Sequence, residues 1–428
     1  MARWLYYLLP AVLLAVFAEF LHWSPVLVFA FSAIGLIPLA GLIGAATEEV
    51  AELVGPLVGG LLNATFGNAP ELIIGIVAVK AGLLEVVRAS ITGSIIGNTL
   101  LVLGMAIFAG GWRNGRQYFD ARNAGQYASM LALAVVGLVL PALANTVGQE
   151  TAAEDHKGIV NIDAISVLVA VVLLLSYVAY IAYTVFHVRD KQHHAPKDVR
   201  EDEISDSGEE GPPLVPPSAV LAEEQMEELA REEKAERAAR RKTGKTAKKH
   251  RAVAAVKSEL PETTEKAEHG ASGKPTWKTA WKPITLLGVA TVGTAIISEF
   301  LVDAIVPVTK QLGWSQLFVG LIIVPIVGNA AEHSSAVTMA LKNRMDVCMA
   351  IAAGSSIQVA LLVAPVLVLV SFALANPLDL VFRPIELAVF GLASFLFALI
   401  SLDGESSWLE GMLLLSFYAM VGVIAYFL

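Results

Sequence analysis

Apolar runs of about 20 residues, the length that crosses a bilayer as a helix, recur along this chain. Eleven can be marked: 4–21, 25–46, 56–79, 89–110, 124–144, 161–186, 284–305, 316–341, 347–372, 384–401 and 407–428. In lipid the backbone has no water to bond, so uninterrupted runs of this length must be helices. Strands of a membrane barrel would be about ten residues long and alternate in polarity, which these runs do not. The expected fold is all-α and integral to the membrane, with eleven transmembrane helices. Arg3, the first run and Val16-Phe17-Ala18 also fit a cleaved signal peptide. Glu19 and His22-Trp23 favour a retained helix, because they resemble an interfacial end.

Charge is distributed unevenly between the apolar runs and one polar segment. Residues 188–282 contain 19 Lys and Arg against 19 Asp and Glu. The remaining chain holds 11 against 20, so the whole net charge of −9 lies in the apolar part. Nucleic acid requires basic patches and is excluded as a partner; membrane lipid and cations are the partners this balance suits. Cys348 is the single cysteine, which rules out a disulfide within the chain. Segment 188–282 has only Trp277 and Trp281 as aromatics and cannot bury a core, so it is expected to be a solvated linker. Its flanking Arg189, Lys191, Lys278 and Lys282 put it on the cytoplasmic side, with the N-terminus inside and the C-terminus outside.

Two segments match at a fixed offset of 261 residues. Gly67-Asn68-Ala69-Pro70-Glu71 aligns with Gly328-Asn329-Ala330-Ala331-Glu332, and Gly93-Ser94-Ile95-Ile96 with Gly354-Ser355-Ser356-Ile357. The copies lie five helices apart, an odd number, so the second enters the membrane from the opposite face. The expected organisation is a leading helix (1–24), a first five-helix repeat (25–187), the cytosolic linker (188–282) and a second five-helix repeat (283–428). Inverted repeats are a device of transporters, which place their site at the midplane where the copies meet.

Glu71 and Glu332 fall inside apolar runs that offer no evident Lys or Arg partner. A carboxylate there costs roughly 2.5–3.5 kcal/mol even on the lenient insertion scale. Asn68 lies three positions before Glu71, and Asn329 three before Glu332, so each pair shares a helix face. Ser94 and Asn98, with Ser355 and Gln358, add oxygens from the following helices. Gly67, Pro70 and Gly328 permit local unwinding that frees carbonyls toward a cavity. The inventory is oxygen with two carboxylates, which suits Ca2+; softer metals want sulfur or imidazole, and only His333 offers a ring nearby. Two carboxylates in a low dielectric cannot both stay ionised and empty, so protons replace Ca2+ when it leaves.

Thr47-Glu48 and Ser298-Glu299 form a second matched pair, expected at the ends of the second and seventh helices with the loop at 303–315 absorbing an insertion. Each Glu is either an interfacial carboxylate or a proton acceptor at the mouth of a path. His333 is either a proton-titrating group beside Glu332 or a hydrogen-bonded core histidine.

These residues resemble the cation/calcium exchanger family of Ca2+/H+ antiporters. The resemblance is carried by Ala46-Thr47-Glu48, by Gly59 to Ala69 with Glu71-Leu72-Ile73-Ile74, by Glu299-Phe300-Leu301-Val302-Asp303, by Gly328 to His333, and by Asp403 to Gly411. It implies eleven helices and export of cytosolic Ca2+ against an inward proton gradient. It also implies that Glu71 and Glu332 bind the ion, while Glu48, Glu299 and His333 assist proton coupling or gating. The family's acidic helix between halves matches 219–237, the acidic start of a helix-prone run over 219–249 that ends basic, a polarity that suits the helix dipole. That run is either a soluble charged helix or a surface helix that meets Ca2+ or anionic lipid. Pro70 stands where the family usually has Thr or Val, and a Pro-Glu pair is closer to sodium/calcium exchangers, the alternative reading. No HExxH, GxSxG or GxGD pattern supports a membrane enzyme. No cofactor beyond the transported ions is expected, a homo-oligomer is left open, and a prokaryotic cell membrane is favoured over a vacuole.

Overall fold

Helices make up nearly all the regular structure, as apolar runs in lipid require. The computed structural model describes residues 3–54, 59, 62, 65–155, 161–186 and 277–428. After one turn at Arg3–Tyr6 come α1 (Leu9–Phe20), α2 (Pro25–Val54) and α3 (Ala69–Lys80). Next are α4 (Leu84–Asn114), α5 (Ala121–Asp155) and α6 (Ile162–Phe186). The second half holds α7 (Trp277–Leu312), α8 (Gln316–Gly328) and α9 (Ala330–Leu341). It closes with α10 (Met345–Ala373), α11 (Pro384–Ile400) and α12 (Trp408–Phe427). A two-residue ribbon pairs β1 (Gln117–Tyr118) antiparallel with β2 (Glu405–Ser406).

Among the described residues seven helices are long and apolar enough to cross a membrane, and α8 with α9, bent by 62° at Asn329, forms an eighth candidate. The acidic run 219–237 lies outside the described residues, as does most of the expected linker. α7 already begins at Trp277, inside the stretch assigned to the linker.

α2 and α7 run past the points where their apolar runs fade. α2 continues through Glu48, Glu49 and Glu52 to Val54, and α7 through Asp303 to Leu312. Glu48 and Glu299 therefore sit within helices, and 303–315 holds no long insertion loop. Glu is a good helix former, and charge ends the apolar run without ending the backbone hydrogen bonds. The two long helices pack against each other; Gly293 of α7 lets Leu39 of α2 approach to 3.2 Å from where a Cβ would stand.

The elements recur at the sequence offset. α3 and α9 both have 12 residues and start 261 positions apart. Leu84 and Met345 open α4 and α10 at the same spacing. Each of these longer helices carries a wide π-type turn, at Gly97–Val102 and at Val359–Val363. Such turns insert one extra residue per turn and commonly mark functional positions in helices.

Candidate ion site

The site is built where both helix runs break. Asn68 precedes α3 with φ −99° and ψ 18°, and Asn329 precedes α9 with φ −95° and ψ 9°. Neither is helical, yet each carbonyl accepts the first bond of the helix that follows: Leu72 N–H to Asn68 at 3.1 Å, His333 N–H to Asn329 at 3.0 Å. The break puts Glu71 and Glu332 in the first turns of short helices, not in the middle of continuous spans. Pro70 sits at the second helical position, where its missing N–H leaves no bond unmade.

Six polar side chains link the two halves at this level. Asn329 Nδ2 donates to Ser94 Oγ at 3.3 Å, and Ser355 Oγ lies 3.5 Å from Asn68 Oδ1, two repeat-related contacts. Asn98 Nδ2 donates to Ser355 Oγ at 2.8 Å, and Asn68 Nδ2 donates to Gln358 Oε1. Asn68, Asn329, Ser94, Asn98 and Ser355 are all buried. Asn98 and Gln358 break the symmetry, because each lies one position off the other's repeat mate, at the edge of a π-type turn.

Glu71 and Glu332 belong to one cluster of polar side chains, with Glu71 packed against Gly328, four positions before Glu332. Glu71 is 8% exposed. Its Oε1 would lie 3.3 Å from a Cβ placed on Gly328, so the carboxylate of one half abuts the break of the other. Neither carboxylate forms an ion pair among the described residues. Glu71 Oε2, Glu332 Oε2, Asn98 Oδ1 and Asn329 Oδ1 are buried acceptors with no hydrogen-bond donor among the described residues. Buried acceptors left without donors are costly. Four of them, two on carboxylates, belong to side chains of this one polar cluster, and a cation would satisfy them. Among the described residues no group of three or more His, Cys, Asp or Glu could hold a metal, so amide and hydroxyl oxygens must complete any shell.

A cavity of about 530 Å3 leads to this point. Glu332, Ser355 and Gln358 line it, and the small residues Gly41, Gly44 and Ala45 of α2 keep it wide. Glu48 lies along its wall, exposed. Its counterpart Glu299 lies outside the cavity and pairs with Lys80 at 3.3 Å, with both side chains more than half exposed. The structure thus brings together Asn68, Glu71, Ser94, Asn329, Glu332, Ser355 and Gln358. It separates Glu48 from Glu299, and His333, half-buried, does not line the cavity. The α2 small residues were not singled out from sequence; three small side chains within five positions were the available signal.

The family model for "Sodium/calcium exchanger protein" matches residues 24–186 and 282–427. A Ca2+/H+ antiporter of Aphanothece halophytica is 37% identical over 97% of this chain and 94% of its own. One of Synechocystis sp. is 39% identical over 96% of this chain and 93% of its own. The solved structure of native YfkE superposes with a TM-score of 0.70 at 32% identity, covering 99% of this chain and 100% of that one. Two breaks, two carboxylates without ion pairs among the described residues and a shell of bare oxygens accord with these likenesses, and the chain belongs to the sodium/calcium exchanger protein family.

Proposed function

We infer that this integral membrane protein is a secondary transporter that exchanges Ca2+ for H+ across the bilayer. The observation that carries this reading is the pair Glu71 and Glu332, brought to one break, without cationic partners among the described residues, and set among buried oxygens left unpaired by those residues. Ca2+ takes about six to eight oxygen ligands in flexible geometry. Glu71, Glu332, Asn68, Asn329, Ser94, Ser355 and Gln358 supply them, with Asn98 Oδ1 as a further acceptor. When Ca2+ departs, two facing carboxylates must be neutralised, and protons are the smallest ions that do so. Ca2+ and protons then compete for one site, which is the minimum device for antiport. Protons are favoured over sodium because relatives named as Ca2+/H+ antiporters match nearly end to end. The curated relatives are named as antiporters, transporters or exchangers.

The finer architecture is an inverted pair of five-helix repeats, 25–187 and 283–428, behind a leading helix at 1–24 and joined by the cytosolic segment 188–282. Repeat-related contacts, with Asn329 on Ser94 and Ser355 on Asn68, support it. So do paired breaks and paired π-type turns. Eleven crossings follow if α1, α11 and the run around α3 each span. With that topology the cavity opens on the linker side, where Glu48 draws ions in. The Lys80–Glu299 pair lies at the opposite, closed mouth. The main-chain N–H of His333 bonds to Asn329 O at the break, and its side chain does not line the cavity. Ca2+ uptake into vesicles reconstituted with the full chain tests the reading. Uptake should follow an imposed pH gradient and ignore a sodium gradient; uptake that follows sodium alone would overturn it.

A further inference from the structure

The two short helices that carry the carboxylates end in the same way. An α-helix leaves about four terminal C=O groups without intrahelical donors. α3 turns out through Gly82 at φ 73° and α9 through Asn343 at φ 57°. Gly82 N–H bonds to Val79 O and Asn343 N–H to Ala340 O, both at 2.9 Å. Leu83 N–H to Ala78 O and Arg344 N–H to Met339 O complete matched turns at 2.9 and 3.0 Å.

Beyond these turns, each helix end receives a side-chain amide from the other half of the chain. Asn376 Nδ2 donates to Val79 O at 3.1 Å and lies 3.4 Å from Lys80 O. Asn114 Nδ2 donates to Ala340 O at 3.1 Å and lies 3.4 Å from Leu341 O. Val79 and Ala340 are repeat mates, as are Lys80 and Leu341. Buried Gln117 adds Nε2 to Ala340 O at 2.8 Å. Each donor sits beside a left-handed residue just past its helix: Asn114 before Gly115 at φ 77°, Asn376 after Ala375 at φ 57°. Left-handed backbone costs an alanine about 1–2 kcal/mol. Such strain persists where surrounding contacts over-determine it, and here it presents Asn376 to the end of α3.

We propose that Asn376 is a positioning residue for Glu71, and Asn114 with Gln117 for Glu332. The inference rests on the reading of these carboxylates as the ion's ligands. Each amide pins a helix end whose first turn holds the carboxylate nine residues earlier, about 14 Å along the axis. Because the amide comes from the opposite half, each carboxylate is registered against the half it must face.

Ca2+ binding to the detergent-purified full chain, measured by isothermal titration at fixed pH, tests this. Asn376→Ala and Asn114→Ala would each be combined with Glu71→Asp or Glu332→Asp, which withdraw one carboxylate by a methylene. Each Ala variant is expected to weaken binding about two- to tenfold, the worth of one hydrogen bond. Asn376→Ala should be non-additive with Glu71→Asp and additive with Glu332→Asp, and Asn114→Ala the reverse. Unchanged affinity, or equal coupling to both carboxylates, would overturn the proposal. If Asn376→Ala does not fold, Asn114→Ala at its exposed position is judged by the same criteria; failure of both to fold would mean a purely structural role and also overturn it. Wild-type protein that binds no Ca2+ would instead sink the ion-site reading, a result visible before any variant is made.

Discussion

Adding one methyl at Gly328 separates the ion site from the fold. Gly328 closes α8, and its backbone is not in the left-handed region, so alanine can occupy it. The new Cβ would lie 3.3 Å from Glu71 Oε1 and 3.5 Å from its Cδ and Cγ. That contact is tight by a few tenths of an ångström, and the atoms that must give way belong to a side chain. Ca2+ accepts oxygens only within about 2.3–2.6 Å, so a shift of that size removes Glu71 from good ligation. The loss is of the order of one charged polar contact, about 1.5–3 kcal/mol, or roughly 10- to 150-fold in Kd. Stability should hold, because alanine is a better helix former than glycine by up to about 1 kcal/mol. Gly93→Ala is the contrast: its Cβ would stand 2.7 Å from the Leu321 carbonyl carbon, a backbone atom that cannot swing aside. Overpacking of that kind costs about 1–3 kcal/mol of stability. Isothermal titration and thermal melting on both variants read the two effects. Unchanged Ca2+ affinity in a folded Gly328→Ala protein would refute the placement of Glu71 at the ion; a Tm loss matching that of Gly93→Ala would refute the distinction between yielding and unyielding neighbours.

Glu71→Gln and Glu332→Gln each keep shape and remove charge, and either should abolish gradient-driven Ca2+ uptake while the protein still folds; near-normal flux in either would remove that residue from the site. Lys80 and Glu299 are largely exposed, so breaking their pair should move stability by no more than about 1 kcal/mol. In Lys80→Met the cavity should become less accessible from the Glu48 side by at most about fivefold. Labelling of a cysteine placed at cavity-lining Ala45 reports this, because the native Cys348 is buried; slower labelling by orders of magnitude would make the pair a dominant lock.

Length and polarity made the spans legible, because lipid leaves the backbone one option. The matched Asn-x-x-Glu segments made the candidate site legible as a place to look, since a carboxylate in an apolar run demands an explanation twice over. Where α2 and α7 end was not legible: Glu48 and Asp303 stop an apolar run, whereas a helix stops only when its hydrogen bonds do. The one-position slip between Asn98 and Gln358 depends on π-type turns, which have no simple composition. Asn114 at the end of α4, Gln117 in β1 and Asn376 just past α10 carry no sign in the sequence that they reach across to the other half.

The central claim is that one pair of acids holds either Ca2+ or protons. Titrating Ca2+ into the purified chain in buffers of different ionisation enthalpy counts the protons expelled as the ion binds. The account predicts that Ca2+ binding releases protons and strengthens as pH rises. Ca2+ affinity that is the same at every pH, with no proton released, would contradict it.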